Sequence, residues 1–166
     1  KLSGASFTQT GYVLTINLDR TYNPGDTGQV RIYYRHMNYS DNSFFVHSGG
    51  AVYTDTEPEG SRCWFPCWDK PSDKATWDVT VKVPLSVRLA SNGLLKDSVV
   101  TGDSIYYHWV SRDPMCTYLM HIAGCVSFGI YKTYWHKVSN PSDSIPFMLY
   151  TLTGDTLNYF KQKIPL

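Results

Sequence analysis

The strongest constraint on the fold is the alternation of apolar and polar residues in the segment 76–84, TWDVTVKVP. Trp77, Val79, Val81 and Val83 share one parity, and the residues between them are charged or polar. Successive side chains of a β-strand point to opposite faces, so this pattern predicts a strand with one buried face. Abundant Tyr, Val, Thr and Trp elsewhere favour the same kind of structure.

Alternation of this kind recurs at short intervals along the chain, separated by turn residues. A turn at NPGD (23–26) would join the first two of these segments as an antiparallel pair. The segment 116–135 reads as one long strand or as two strands broken near Gly124. Residues 38–50 and 140–146 are predicted to be loops. The predicted strands are 12–18, 29–37, 76–84, 104–111, 116–135 and 147–151.

The order of these elements predicts an all-β fold, an antiparallel sandwich or a strongly curved sheet. The length of 166 residues fits one domain with a real core. Only the tail departs from the pattern, because Leu157, Phe160 and Ile164 recur at helical spacing. We therefore expect a β domain over residues 1–153 and the start of a short C-terminal helix over 154–166.

The charge and hydropathy of the chain exclude several partners. A net charge of +1 predicts no large basic field for nucleic acid or anionic membranes. The sequence contains no run of 18 apolar residues, so we predict no membrane span. The N-terminus lacks the apolar region of a signal peptide, although the sequon Asn38-Tyr39-Ser40 is compatible with an exported, periplasmic or extracellular protein. The compartment stays open.

The four cysteines are Cys63, Cys67, Cys116 and Cys125. They allow three complete disulfide pairings, and the sequence does not choose among them. The C-x₃-C spacing of the first two matches zinc half-sites poorly. We interpret all four as free or partly buried thiols.

A search for catalytic motifs finds no complete apparatus. The sequence lacks His-Glu-x-x-His, Gly-x-Ser-x-Gly and the glycine patterns that cradle phosphates. His108 and His121 lie in strand-like segments, where a structural role is expected. From these residues we predict no catalytic residue and no metal ligand in this chain.

One segment remains unusual, TDTEPEGSRCWFPCWDKPSDKATW at 54–77. Glu57 precedes Pro58 in a loop, so its carboxylate should be presented to solvent, where it could bind an amine or remain solvated. Arg62 is expected to pair with an acid, with aromatic rings packed over the loop.

This segment resembles the N-terminal domain of the M1 zinc aminopeptidases. The family pattern is roughly Thr-Gln-x-Glu-Pro-x-x-Ala-Arg-x-x-Phe-Pro-Cys-x-Asp-x-Pro-x-x-Lys-Ala-x-Phe, followed by a strand that ends in Pro. Downstream, Ser91-Asn92 and MCTYLMHIAG (115–124) resemble further family segments. The matching residues are Thr54, Glu57, Pro58, Arg62, Phe65, Pro66, Cys67, Asp69, Pro71, Lys74 and Ala75.

The resemblance implies a saddle-like, antiparallel β domain that precedes a catalytic domain. In the family, that domain carries Gly-x-Met-Glu-Asn and the His-Glu-x-x-His zinc helix, and neither motif occurs here. We therefore expect a fragment whose first strands and catalytic domain are absent, with the zinc in the absent domain. The implied partners are that catalytic domain and, through the parent enzyme, a peptide substrate.

The resemblance also assigns residues. Glu57 matches the glutamate that binds the α-amino group of the substrate. Asp55 stands where the family has a Gln that lines the pocket for the first side chain, and it could favour basic residues or face solvent. Arg62 and Asp69 are expected to brace the loop.

Two alternatives stay open from the sequence. The chain could be a non-catalytic binding or scaffold module with the same fold, using exposed strand edges. The many aromatic residues also permit a carbohydrate-binding sandwich. If strands are missing, an unpaired edge predicts self-association.

Overall fold

The computed structural model describes residues 4–37, 43–47 and 49–152. The chain divides into two compact units, residues 1–38 and 39–166. Eleven strands are defined in the described ranges, two in the first unit and nine in the second. They are β1 (Phe7–Thr10), β2 (Val13–Ile16), β3 (Phe44–Val46), β4 (Val52–Thr54), β5 (Lys74–Pro84), β6 (Arg88–Ser91), β7 (Leu94–Thr101), β8 (Ser104–Cys116), β9 (Ile122–Cys125), β10 (Gly129–Lys137) and β11 (Asn140–Thr151).

The first unit contains an antiparallel hairpin of β1 and β2. The predicted pairing of 12–18 with 29–37 is wrong, because β2 pairs with β1 and residues 29–37 form no strand. A two-residue connection closes this hairpin, with Gly11 at a φ of 57°. A short turn with glycine in the left-handed region costs less chain entropy than the longer connection that we predicted.

The second unit holds a four-stranded antiparallel sheet in the order β3-β4-β9-β6. β3 lies inside the predicted loop 38–50, so that prediction is wrong for Phe44–Val46. The strand has only three residues, too few to show an alternating pattern. Its pairing with β4 supplies the backbone hydrogen bonds that its sequence did not predict.

A second antiparallel sheet has the order β5-β8-β7. β5 confirms the alternation that predicted it: Trp77, Val79, Val81 and Val83 are half-buried, and the residues between them are exposed. The Asn92-Gly93 turn is also present, with Gly93 at a φ of 83°.

A long hairpin of β10 and β11 completes the second unit. The predicted loop at 140–146 is wrong, because β11 runs from Asn140 to Thr151 and includes Pro141 and Pro146. Proline has no N–H to donate, but each strand of a two-stranded sheet has an outer edge on which no donor is needed. The segment 116–135 begins with the last residue of β8 and a 3₁₀ turn at Thr117–Leu119, so the predicted strand is wrong before β9. The rest of the segment is β9 and most of β10, and the break that we predicted near Gly124 falls just after β9.

The buried core of the second unit draws on both larger sheets. Trp109 on β8, Leu89 on β6 and Cys125 on β9 are each 2% exposed or less. Met120, just before β9, is equally buried. The all-β, antiparallel architecture is thereby confirmed. The predicted C-terminal helix at 154–166 lies outside the described residues.

Two further expectations concern exposed surfaces. Within the described ranges, β7 pairs only with β8, and Val99 and Val100 on it are 54% and 57% exposed. Self-association through a strand edge stays a prediction. No helix in the described part of the chain is long and apolar enough to cross a membrane.

The outer face of the β5-β8-β7 sheet carries a histidine between two aspartates, one residue from each strand. His108 Nε2 lies 2.9 Å from Asp78 Oδ1, and its Nδ1 lies 3.2 Å from Asp97 Oδ2. Arg112 donates to the other oxygen of Asp78 at 3.0 Å. Hydrogen bonds to Asp78 and then to Asp97 raise the pKa of His108, and the bond from His108 lowers the pKa of Asp78.

This cluster predicts a pH-dependent stability. Because the pKa of His108 is raised in the folded chain, its contribution is complete below the unfolded pKa of about 6.5 and is lost as pH rises through the folded value. The Asp78 contribution, in contrast, is lost as pH falls through its lowered pKa. The Tm of the chain, followed from pH 5 to pH 9, should therefore decrease above about pH 6.5.

In the variant His108→Gln, the Tm should decrease less as the pH rises above about 6.5. His136→Gln is the matched control, because His136 has no carboxylate partner in the described ranges. An unaltered pH slope in His108→Gln would show that the aspartates do not stabilise the charged ring.

Candidate functional site

Two buried threonines anchor the segment that follows β4. Thr54 Oγ1 accepts a hydrogen bond from the Ile122 backbone N–H at 3.1 Å. Thr56 Oγ1 donates to the Tyr118 carbonyl oxygen at 3.2 Å. Because alternate residues of an extended segment face opposite sides, burial of these threonines turns Asp55 outward. The backbone N–H of Asp55 donates to the Ser43 carbonyl oxygen at 3.0 Å, which extends the pairing with β3.

Asp55 and Glu57 are both exposed, and both line one open pocket of about 380 Å³. The structure thus brings together the two residues that the sequence assigned to substrate binding. Neither carboxylate has a hydrogen bond or an ion pair to any described residue. The pocket is lined by Thr54, Asp55, Glu57, Asn92, Met115, Tyr118, Leu119 and His121.

Asn92 fixes another part of the pocket wall. Its Nδ2 donates to the Leu119 carbonyl oxygen at 2.9 Å, and its Oδ1 accepts from the His121 backbone N–H at 2.7 Å. Its position depends on the following Gly93, where an added Cβ would approach the Val110 carbonyl oxygen to 2.2 Å. Only glycine fits that approach, so the turn holds the Asn92 amide against the wall.

His121 belongs to the same wall and is exposed. Its Nδ1 lies 3.1 Å from the Leu119 carbonyl oxygen. A carbonyl oxygen can only accept, so Nδ1 carries a proton, and the neutral ring then has its lone pair on Nε2. Sequence reasoning treated His121 as a structural strand residue and missed that it lines the pocket, as it also missed Asn92 and Tyr118. The available signal was their place in two segments that resemble a known family.

Arg62 and Asp69 form an ion pair in the loop that follows Glu57. Asp69 Oδ2 accepts from Arg62 Nε at 2.7 Å and from the Arg62 backbone N–H at 3.2 Å. Asp69 Oδ1 accepts from Thr117 Oγ1 at 3.2 Å. The Asp69 side chain is 4% exposed. The hydrogen bond between Arg62 and Asp69 raises the pKa of the Arg62 guanidinium. Because Thr117 directly precedes Tyr118, the pair connects the loop to the pocket wall.

Glu59 adds a second carboxylate to Arg62, which the sequence reading missed. Its Oε2 accepts from Arg62 Nη2 at 2.9 Å and from Lys70 Nζ at 3.0 Å. The hydrogen bond from Lys70, together with the positive charges of Lys70 and Arg62, lowers the pKa of Glu59. The i,i+3 spacing of Glu59 and Arg62 was the available signal. The cations of this loop are therefore bound to acids outside the pocket.

Aromatic rings pack the loop against β5. Trp64 meets Phe65 at 4.6 Å and Trp77 at 6.1 Å between ring centroids. Trp77 Nε1 donates to Ser91 Oγ at 3.1 Å. Trp68, a further aromatic residue of the loop, is 71% exposed, so the expectation that aromatic rings pack over the loop is wrong for this residue.

The four cysteines form no disulfide bond, and hydrogen bonding with Ser127 lowers the pKa of the buried Cys125 thiol. All four are thiols rather than half-cystines. Burial raises the pKa of the Cys67 thiol to about 12, so it stays protonated near neutral pH. In the described ranges, no group of three or more His, Cys, Asp or Glu side chains could hold a metal ion.

This geometry defines a class of protein. It is an all-β domain in which a pocket lined by two carboxylates lies beside a loop that an ion pair stabilises. Residues 1–119 match the family model described as the peptidase M1 N-terminal domain. The match covers more than half of the chain, and the chain belongs to this family.

Named relatives agree with that assignment. Aminopeptidase M1 of Arabidopsis thaliana is 30% identical over 115 residues, which are 68% of this chain and 12% of that protein. Aminopeptidase N of Haemonchus contortus is 34% identical over 74 residues, 43% of this chain and 8% of that protein. The chain therefore spans about an eighth or less of these relatives.

The fold has a solved counterpart in an M1 zinc metallopeptidase from Deinococcus radiodurans. The two structures superpose with a TM-score of 0.70 at 22% identity. The match covers 87% of this chain and 34% of that chain. At this identity the likeness concerns the fold alone.

Proposed function

We propose that this chain is the N-terminal β domain, residues 1–153, of a longer zinc aminopeptidase, and that it supplies the anchor for the α-amino group of the substrate. The observation that carries the proposal is the Glu57 carboxylate, which is exposed, lines a pocket and has no partner among the described residues. Residues 154–166 would lead toward the catalytic domain.

The chemistry of an aminopeptidase suits such a carboxylate. The α-ammonium group of a peptide has three donors, and a charge-assisted hydrogen bond to a fixed carboxylate gives both affinity and register. A substrate held at its amino terminus presents only its first peptide bond at a fixed distance from the anchor. Positioning of this kind can account for a large part of a catalytic rate enhancement.

Asp55 is proposed to line the pocket for the side chain of the first residue. It lines the same pocket as Glu57, and two residues of an extended segment are about 6–7 Å apart. A substrate bound by its ammonium at Glu57 would therefore place its first side chain within reach of Asp55.

Arg62 and Asp69 are proposed to hold this arrangement in place. Asp69 ties the loop to Thr117, next to Tyr118 in the pocket wall, while Thr56 ties the carboxylate segment to Tyr118 itself. The brace and the pocket thus share one short segment. A shift of that segment would move the wall against which the substrate packs.

Zinc does not fit the described residues of this chain, since they provide no group of three or more ligands. We assign no ligand here and propose that the metal binds in the catalytic domain of the parent enzyme. When bound there, zinc would polarise the scissile carbonyl and lower the pKa of a water nucleophile.

The proposal is tested by the dependence of hydrolysis on a free amine. The full-length protein should hydrolyse an aminoacyl chromogenic amide, and N-acetylation of the substrate should lower kcat/KM by about 10²-fold or more, because the anchored cation is lost. Chelation should abolish activity and zinc should restore it. The 166-residue chain alone should show no turnover with zinc. Equal rates for free and acetylated substrates would refute the anchor, and inactivity of the full-length protein with zinc would favour a non-catalytic binding module.

A further inference from the structure

Two buried hydroxyl groups connect the turn that carries Glu57 to the pocket wall. Ser61 is 0% exposed and Thr56 is 3% exposed. Ser61 Oγ donates to Thr56 Oγ1 at 3.1 Å, and Thr56 Oγ1 donates to the Tyr118 carbonyl oxygen at 3.2 Å. We call these two hydrogen bonds the hydroxyl bridge.

The direction of the hydroxyl bridge is fixed by its final acceptor. A carbonyl oxygen can only accept, so the hydroxyl hydrogen of Thr56 points to Tyr118. Toward Ser61, the Thr56 oxygen then offers only a lone pair, and the hydroxyl hydrogen of Ser61 is donated to it. Both side chains are shielded from water, so removal of either hydroxyl leaves a buried polar atom without its partner. The bridge therefore holds Thr56 against the wall in one arrangement.

The backbone adds a second contact at the same residue. The Gly60 N–H donates to the Thr56 carbonyl oxygen at 2.8 Å, which closes a turn over residues 56–60. A Cβ added at Gly60 would lie 3.1 Å from that oxygen, so the two ends of the turn are in close contact. Glu57 directly follows Thr56, and its Cα is therefore about 3.8 Å from that of an anchored residue. The hydroxyl bridge and the turn together fix where the Glu57 backbone lies.

The hydroxyl bridge joins two parts of the pocket without lining it. Glu57 and Tyr118 are among the described residues that line the pocket, whereas Thr56 and Ser61 are buried and do not line it. The bridge therefore sets the distance between the Glu57 turn and the Tyr118 segment. Catalysis is sensitive to such distances, because a displacement of about 1 Å can remove a substrate from its reactive geometry.

We propose that Thr56 and Ser61 are positioning residues, which fix the Glu57 carboxylate relative to the Tyr118 segment for binding of the α-ammonium. This inference rests on the proposed function, in which Glu57 is the amine anchor. Ser61 also departs from the M1 pattern, which has Ala at this position. Alanine has no hydroxyl, so the complete bridge is not a property of that pattern.

The test is a double-mutant cycle in the full-length protein, with kcat/KM for an aminoacyl chromogenic amide as the readout. Thr56→Val keeps the shape of the side chain and removes the hydroxyl, and it should lower kcat/KM about tenfold. In a Glu57→Gln background the same substitution should lower kcat/KM by less than about twofold, because no carboxylate remains to be positioned. A purely structural residue would give the same factor in both backgrounds. Thr56→Ser keeps the hydroxyl and should restore most of the wild-type rate.

A second variant removes the other hydroxyl of the bridge. Ser61→Ala should lower kcat/KM about threefold, because the bond from Thr56 to Tyr118 remains. This variant tests the inference even where Thr56→Val does not fold. Ser104→Ala is its matched control, since it removes a buried hydroxyl that donates to Asp103 outside the pocket. The control should leave kcat/KM unchanged.

The outcomes separate this inference from the proposed function. Suppose that Glu57→Gln lowers kcat/KM and that Thr56→Val and Ser61→Ala do not. The positioning role is then wrong and the amine anchor stands, and the same holds if Thr56→Val gives an equal factor in both backgrounds. If Glu57→Gln leaves kcat/KM unchanged, the anchor itself is wrong and the inference fails with it.

Discussion

Replacing Glu57 with Gln in the full-length protein should lower kcat/KM for aminoacyl amides by about 10²-fold. The substitution keeps the shape of the side chain and removes its charge, so the α-ammonium loses its charge-assisted partner. A substrate that is no longer held at its amino terminus would spend less time with the scissile bond in a reactive position. Steady-state kinetics and the zinc content of purified protein measure the two relevant quantities, and the zinc content should stay the same.

Glu59→Gln is the matched control for this experiment. It makes the same chemical change two positions away, on a side chain that binds Arg62 and Lys70 outside the pocket. It should have little effect on kcat/KM. Equal kinetic losses in both variants would point to general disturbance of the loop, and an unchanged rate in Glu57→Gln would remove Glu57 from the site.

Replacing Asp69 with Asn should destabilise the domain by about 3 kcal/mol. The carboxylate is almost fully buried, and it accepts bonds from the Arg62 backbone, the Arg62 guanidinium and Thr117. An amide has one acceptor oxygen and no charge, so it leaves either Arg62 or Thr117 without its partner. For a chain of this size, that loss corresponds to a decrease in Tm of about 6–12 °C.

Thermal unfolding followed by tryptophan fluorescence would measure this decrease. Trp64 and Trp77 contact each other between the braced loop and β5, so they report on the affected region. Asp73→Asn is the control, because that exposed aspartate on the same loop has no side-chain partner among the described residues. A Tm in Asp69→Asn that equals the control would show that the ion pair does not brace the loop.

The fold illustrates which elements a local pattern can specify. β5 was predicted because one of its faces is buried and the other is in water, so apolar and polar residues alternate along its sequence. β3 was missed because three residues cannot show a period, and β11 was shortened because its prolines were taken as a break. The partner of β2 was also wrong, since pairing depends on turn geometry and chain entropy rather than on alternation.

In the site too, some features follow from the local sequence and others follow only from the tertiary structure. The sequence by itself determined the unusual composition of 54–77, the family to which its spacing belongs, and the candidates Glu57, Asp55, Arg62 and Asp69. Each of these follows from residues close together in the chain, where local order is sufficient.

Only the tertiary structure decided which distant residues meet those candidates. Asn92, Tyr118 and His121 lie 35 or more positions away from Glu57 and reach its pocket because β4, β9 and β6 are neighbours in one sheet. It also decided that Asp69, rather than another acid of the loop, is the buried partner of Arg62. Contacts between strands depend on the register of the strands and on which side chains are buried. The sequence of one segment alone determines neither of these.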